Sequence, residues 1–234
     1  MGGPSDGVTP LLSWKGKIQM NKAALALAVF TSCVGLASGQ AITEAVDITD
    51  AQIKEVLKFA PPAVDQQLRV VDIGKLQLAV GIIHRGPTAP AAGGAGRAGA
   101  GRAANAPAPV RCGLSEAPAG AAMSPPGMIA HDFETETYVI TSGGGTLVTG
   151  GQIVNGNRSG PDSEVTKVLN GISCSGRSAG KIVTRKVSVG DVIIIPANVP
   201  HGWTDITDHV DYLSVRPDPE KVLEKNYTNP HMKK

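Results

Sequence analysis

The chain has 234 residues, a formal net charge of +2 and 3% aromatic residues. This length suits one domain with appendages. The near-neutral charge, the scarcity of aromatic residues and the lack of a basic and aromatic RNA-type motif exclude a nucleic-acid-binding surface. The expected core therefore consists of Val, Ile and Leu.

The N-terminal segment has the pattern of a secretory signal. A basic residue, Lys22, precedes a short run rich in alanine and leucine, and small residues follow it. The run is short for a membrane span. We therefore expect residues 1–19 to lie upstream of the true start, and residues 20–39 to be a signal peptide that is cleaved. The mature protein would be secreted or periplasmic, with no membrane span; an anchoring N-terminal helix or a lipid anchor at Cys33 are the alternatives.

Two cysteines, Cys112 and Cys174, remain after this cleavage. An exported protein meets an oxidising compartment, where disulfides persist. One intramolecular pairing and two free thiols are both open, because spacing along the chain does not give the distance between the sulfur atoms.

Residues 40–62 are expected to form an arm and a short helix. Thr49 to Gln52 has the form of a capping box, apolar residues then fall on one helical face, and Pro61–Pro62 end the element. The helix is expected to pack outside a sheet or on a partner. Strands are predicted at 68–71 and at 76–82, the second with clear period-two alternation.

Positions 88–127 are dominated by Gly, Ala and Pro and have no aromatic residue. Such a composition cannot bury enough apolar surface to order itself, so the segment is interpreted as a flexible insertion. Beyond it, a β-prone run at 137–141, a glycine turn at 143–145 and a return strand at 146–148 predict a hairpin.

Three more strands are predicted at 181–187, 192–195 and 211–215. The second is continuously apolar, as in a strand buried on both faces. Residues 218–234 are interpreted as a polar tail that could include a short helix at 219–225. Many short strands with turn signals between them indicate an all-β sandwich or barrel.

Two stretches carry residue types that bind metal ions. In the first, His131 stands five residues before Glu136. Positions five apart on a flat strand face opposite sides, so the chain must bend for the two to meet. In the second, an apolar strand runs through Pro196 to His201. Two histidines and one carboxylate leave coordination positions open and suit Fe(II) and other divalent ions.

These stretches resemble the two sequence motifs of the cupin superfamily. The matching residues are His131, Glu136 and Gly143 in the first motif, and Gly190, Pro196 and His201 in the second. The resemblance covers residues 63–217 and implies a jelly-roll barrel, a metal site and a homodimer.

Three positions depart from the motifs of that family. Ile129 stands where the first histidine is expected, Asn198 replaces a glycine, and Asp205 replaces a final asparagine. Loss of one of four protein ligands is expected to weaken metal affinity and to open a coordination position. A cupin without metal is the alternative.

Other residues are candidates for the same site. Glu134 could replace Glu136 or act with it as a catalytic acid or base. Tyr138, Trp203 and His84 are candidates for binding substrate, although Trp203 could instead pack in the core and His84 could be an ordinary residue at a strand end.

The sequence therefore predicts an exported enzyme with one divalent transition metal ion, which could be Fe, Cu, Mn, Zn or Ni. The expected reaction is oxidation of a small organic or carbohydrate substrate by activated dioxygen or peroxide. A non-redox cupin (isomerase, lyase or hydrolase) and a non-catalytic small-molecule-binding cupin are the alternatives.

Overall fold

The computed structural model of the protein describes residues 44–88 and 109–232. Within these ranges there are one α-helix, one π-helical turn and nine strands, and the strands pair antiparallel. The predicted all-β class is therefore confirmed. The elements are α1 (Asp50–Leu57), β1 (Asp65–Asp72), β2 (Gln77–Arg85), β3 (Arg111–Cys112), β4 (Met128–His131), β5 (Glu136–Arg158), the π-helical turn (Val165–Leu169), β6 (Ser173–Ser188), β7 (Val192–Ile195), β8 (His201–Thr204) and β9 (Val210–Asp218).

Several predictions fall outside the described residues: the upstream segment at 1–19, the signal peptide at 20–39 with the alternative lipid anchor at Cys33, and the part of the insertion at 89–108. Across the part of the chain that the structure describes, no helix has the length and apolar character needed to cross a membrane.

The strands form two layers that share β5. One layer has the order β1-β2-β9-β5-β7. In the other, β5 pairs with β6, β6 with β4, β4 with β8, and β8 again with β5, so the strands close into a ring. The first part of β5, residues 136–143, pairs in the first layer, and residues 144–158 pair in the second. The space between the layers holds the main apolar core.

β5 is continuous where the sequence predicted a hairpin. Gly143 has a φ of +63°, and a Cβ at this position would lie 2.0 Å from the carbonyl oxygen of His209, so only glycine fits. A register shift between Ile140 and Ser142 marks the same bend. The glycines thus carry the strand from one layer to the other, and the predicted turn at 143–145 is wrong.

The predicted flexible insertion extends too far toward the C terminus. β3 pairs with β5, Leu114 and Met123 make further bridges, and Cys112 is disulfide-bonded to Cys174. Residues 109–127 therefore follow the surface of the second layer, because pairing and a covalent bond supply the order that their composition lacks.

Two other segment predictions need correction. Strand β7 is not buried on both faces, since Val192 and Ile194 are 59% and 69% exposed at the end of their layer. No helix forms at 219–225; the segment after β9 is irregular, and Leu223 and Met232 are buried against the first layer. An apolar run predicts a strand, but not whether a second layer covers it.

Helix α1 lies outside the first layer, as predicted. The Thr49 hydroxyl accepts the N–H of Gln52, and the Gln52 side chain accepts the N–H of Thr49, which completes the predicted capping box. Val56 is fully buried against β1 and β2.

Candidate metal centre

Three predicted ligands meet between the two layers. His131 ends β4, Glu136 begins β5 and His201 begins β8. The Nε2 atoms of His131 and His201 lie 3.2 Å and 3.0 Å from Oε2 of Glu136, and all three side chains are at most 3% exposed. The chain bends between β4 and β5. The five-residue spacing of His131 and Glu136 requires this bend, because on a flat strand the two side chains would face opposite sides.

A tight turn before β8 fixes His201 relative to His131. Asn198 has a φ of +64°, a conformation that asparagine tolerates better than most residues, which explains its place where the motif has glycine. Its backbone N–H donates to the carbonyl oxygen of His131 at 2.7 Å, and its side chain donates to the carbonyl oxygen of Asp132 at 3.0 Å.

Hydrogen bonds assign the tautomer of each imidazole. His201 Nδ1 lies 3.0 Å from the carbonyl oxygen of Val199, which can only accept. His131 Nδ1 lies 2.8 Å from Ser173 Oγ, and that hydroxyl donates its own proton to the carbonyl oxygen of Gly171. In its neutral form, each ring therefore carries its proton on Nδ1 and has a lone pair on Nε2.

Both Nε2 lone pairs point toward the same carboxylate oxygen. Burial lowers the pKa of His131, which keeps its ring neutral. Two lone pairs that face a carboxylate oxygen repel it unless a cation lies between them. All three ligand atoms lie within 4.8 Å of one another, as expected for ligands bound at about 2.0–2.2 Å to one ion. The donor set therefore fits a divalent transition metal.

The motif residues of both stretches thus converge inside a closed antiparallel β-structure. The protein has the cupin fold. The predicted resemblance is confirmed at the level of the fold.

Comparisons with known proteins find similarity to solved structures only. No protein-family profile matches the chain, and no curated protein matches it significantly. Similar solved structures include an uncharacterised protein with a double-stranded β-helix domain from Klebsiella pneumoniae, at 12% identity and a TM-score of 0.32, over 75% of this chain and 92% of that one. A protein from Bacillus halodurans has 9% identity and a TM-score of 0.34, over 81% and 92%.

A third similar structure is a recombinant oxalate oxidase in complex with glycolate. It has 12% identity and a TM-score of 0.31, over 68% of this chain. This chain spans 54% of the length of that protein. At these identities and TM-scores, the similarities carry no conclusion about activity.

The environment of Glu136 keeps its carboxylate ionised. Oε1 accepts from Arg216 Nε at 2.9 Å and from Ser214 Oγ at 2.8 Å, and Oε2 accepts from the Tyr138 hydroxyl at 2.7 Å. Burial alone would raise the pKa of Glu136, but the charge of Arg216 holds it well below its usual range. Burial raises the pKa of Tyr138, so its hydroxyl remains a donor.

A cavity of about 230 Å³ opens beside the three ligands. Tyr138 lines it, as predicted, and so does Ile129, which pairs directly with His201. The position of the missing histidine is therefore an apolar wall next to the ligands. The remaining lining residues are Val64, Asp65, Ile83, Arg85, Val165, Leu169, Asn170, Tyr212 and Arg216.

Two predicted substrate-binding residues lie away from this cavity. Trp203 is buried in the core, and its ring stacks on Tyr212 with centroids 5.3 Å apart. His84 Nδ1 lies 2.6 Å from Asp211 Oδ1, and its ring stacks on His209. The alternatives therefore hold: Trp203 packs in the core and His84 is a residue at a strand end, because neither side chain lines the cavity.

Glu134 is buried but does not line the cavity either. Among the described residues, neither carboxylate oxygen has a hydrogen-bond partner. A Cβ at Gly171 would lie 1.9 Å from Glu134 Oε1, so the carboxylate fills the space against that glycine. Burial raises the pKa of Glu134 to about 7, helped by the nearby charges of Asp218 and Asp132. Its position does not support the predicted role as a catalytic acid or base.

We expect Glu134→Gln to remove a pH dependence of stability in metal-free protein. The folded pKa of about 7 exceeds the ordinary 4.5, so the group's contribution is complete below pH 4.5 and is lost as the pH rises through 7. The difference between these two pKa values corresponds to roughly 3 kcal/mol in the free energy of unfolding. Urea unfolding at pH 5 and pH 8 measures it, with the exposed Glu116→Gln as control. Equal pH dependence in wild type and Glu134→Gln would contradict this assignment.

Sequence reasoning missed several residues of this site. Arg216 was detectable, because it alternates in phase with the inward-facing Tyr212 and Ser214 on β9. Asn170 follows the π-helical turn and reaches within 3.5 Å of His131 Nε2 and Glu136 Oε1. No local pattern in the sequence indicates that contact.

Proposed function

We propose that this cupin is an exported, metal-dependent oxidoreductase that acts on a small organic or carbohydrate substrate. His131, Glu136 and His201 would hold one divalent transition metal ion, chosen among Fe, Cu, Mn, Zn and Ni. The observation that carries this proposal is the pair of Nε2 lone pairs aimed at one carboxylate oxygen. When bound, the ion would supply open coordination positions at which dioxygen or peroxide is activated.

The surrounding residues orient the ligands. Tyr138 and Arg216 fix the plane of the Glu136 carboxylate, and Ser173 fixes the ring of His131. Ile129 contributes an apolar surface where a fourth ligand would stand, so one more position stays open to substrate.

The disulfide supports the proposal that the protein is exported. Cys112 and Cys174 are joined across β3 and β6. Such bonds persist in oxidising compartments and are rare where thiols are kept reduced.

A binding cupin without turnover is the second candidate. It is favoured by the bonding of Glu136, whose carboxylate accepts hydrogen bonds from Arg216, Ser214 and Tyr138. Tight binding of a small molecule with no product formed by any metal-loaded form would support this candidate over the enzyme.

We expect His201→Ala to weaken metal binding by more than 100-fold, since loss of an orienting residue alone costs about 10–100-fold. Ile129→His should strengthen it, because position 129 pairs with His201 and faces the cavity. Elemental analysis and metal titration of the purified protein measure both effects. His209→Ala is the matched control, because His209 bonds Ser142 and Asp208 outside the cavity.

Oxygen uptake then separates redox from other chemistry. Each metal-loaded form is assayed against a panel of small organic acids and sugars. Undiminished metal affinity in His201→Ala would contradict the ligand assignment. Negligible uptake in every metal-loaded form would remove the oxidoreductase proposal.

A further inference from the structure

The cavity contains two arginines with different bonding. All three nitrogens of Arg216 are bonded: Nε bonds Glu136, Nη1 bonds Gln67 and the carbonyl oxygen of Leu169, and Nη2 bonds Asp65. It is therefore part of the framework that holds the ligands, and these bonds already use four of its five N–H groups.

Arg85 makes a hydrogen bond to the described residues through only one of its nitrogens. Its Nε donates to the Tyr212 hydroxyl at 2.9 Å, which holds the guanidinium at the cavity wall. Neither terminal nitrogen bonds any residue in the ranges 44–88 and 109–232. The side chain is half-buried, and the cavity-lining carboxylate of Asp65 bonds Arg216 through Oδ2 and makes no hydrogen bond to Arg85. Arg85 thus presents a fixed fork of N–H donors without a carboxylate partner.

The net charge of the cavity also favours an anionic ligand. Its lining has two arginines and two carboxylates, Asp65 and Glu136, which balance. A divalent ion on the three ligands would leave two positive charges in excess, in a partly desolvated space. An anionic ligand offsets such an excess, whereas a neutral sugar does not.

We propose that the cavity binds a small organic carboxylate, whose carboxylate group pairs with Arg85 while another oxygen reaches the metal position. Its volume of about 230 Å³ is below the range of about 300–1,000 Å³ typical of drug-sized ligands, so the substrate has few atoms. A guanidinium fork matches a carboxylate with two parallel hydrogen bonds. The contact with the ion rests on the proposed function, but the pairing with Arg85 does not.

Calorimetric titration with lactate and with lactamide, its neutral amide, tests this assignment in metal-loaded and metal-free protein. We expect lactate to bind at least about tenfold more tightly than lactamide. Arg85→Gln should weaken lactate binding by about 10–100-fold and leave lactamide binding and metal content unchanged. Arg85→Lys should recover part of the loss, and Arg185→Gln, at an exposed position of β6, should have no effect.

The outcomes separate this inference from the proposed function. Equal binding of lactate and lactamide by wild type, or undiminished lactate binding by Arg85→Gln, would overturn the inference even if the protein binds metal. A protein that binds no metal but loses lactate binding in Arg85→Gln would support the inference and refute the proposed function.

Discussion

Replacing Arg216 with methionine is expected to lower the free energy of unfolding by about 3–5 kcal/mol. The guanidinium is 1% exposed and bonds the carboxylates of Glu136 and Asp65. Methionine fills a similar volume but leaves the buried carboxylate of Glu136 and the partly buried carboxylate of Asp65 without their cation. Breaking a buried ion pair from one side is costly because the remaining charge stays desolvated.

Urea unfolding of metal-free Arg216→Met and wild type measures this loss. Arg185→Met is the matched control, since Arg185 is exposed and should change stability by less than about 0.5 kcal/mol. Combining Arg216→Met with Glu136→Gln should cost less than the sum of the single changes, because the second change removes one stranded charge. A loss below about 1 kcal/mol for Arg216→Met would show that the pairs contribute little.

Removing the disulfide is expected to cost about 2–4 kcal/mol. Cys112 and Cys174 are 62 positions apart, so their bond restricts a long loop in the unfolded chain. The loop contains His131 and Glu136, and both cysteines are buried in a small apolar cluster. The double variant Cys112→Ala/Cys174→Ala should therefore melt roughly 5–15 °C lower than wild type.

A reductant provides the control for that measurement. Dithiothreitol should lower the melting temperature of the wild type toward that of the double variant and leave the double variant unchanged. An equal effect of the reductant on both proteins would show that the loss does not come from the Cys112–Cys174 bond.

The strands were predictable where one face is buried and the other is not. Period-two alternation located β2, and the capping box at Thr49 located α1. The hairpin prediction failed at Gly143 because glycine permits a turn and a layer crossing equally well. What separates the two is the close approach of His209, a contact 66 positions away that local sequence does not encode.

The candidate metal ligands were predictable from motif spacing, but the residues that orient them were only partly so. Glu136 and His201 each belong to a recognisable pattern. The contacts of Arg85 and Asp65 depend on the order of strands in the first layer. That order decides which charged side chains become neighbours. Trp203 was a candidate for the site that the structure places in the core instead. An aromatic residue close to a candidate ligand in sequence can still face the core.

Strand β5 spans 23 residues and supplies hydrogen bonds to both layers. Neither layer can unfold while the other stays intact, because the backbone of β5 is hydrogen-bonded to neighbouring strands in both layers. The described β-structure is therefore expected to open as a single cooperative unit rather than as two separate subdomains. That coupling keeps Glu136, from the first layer, in register with the two histidines, from the second, for as long as the molecule is folded.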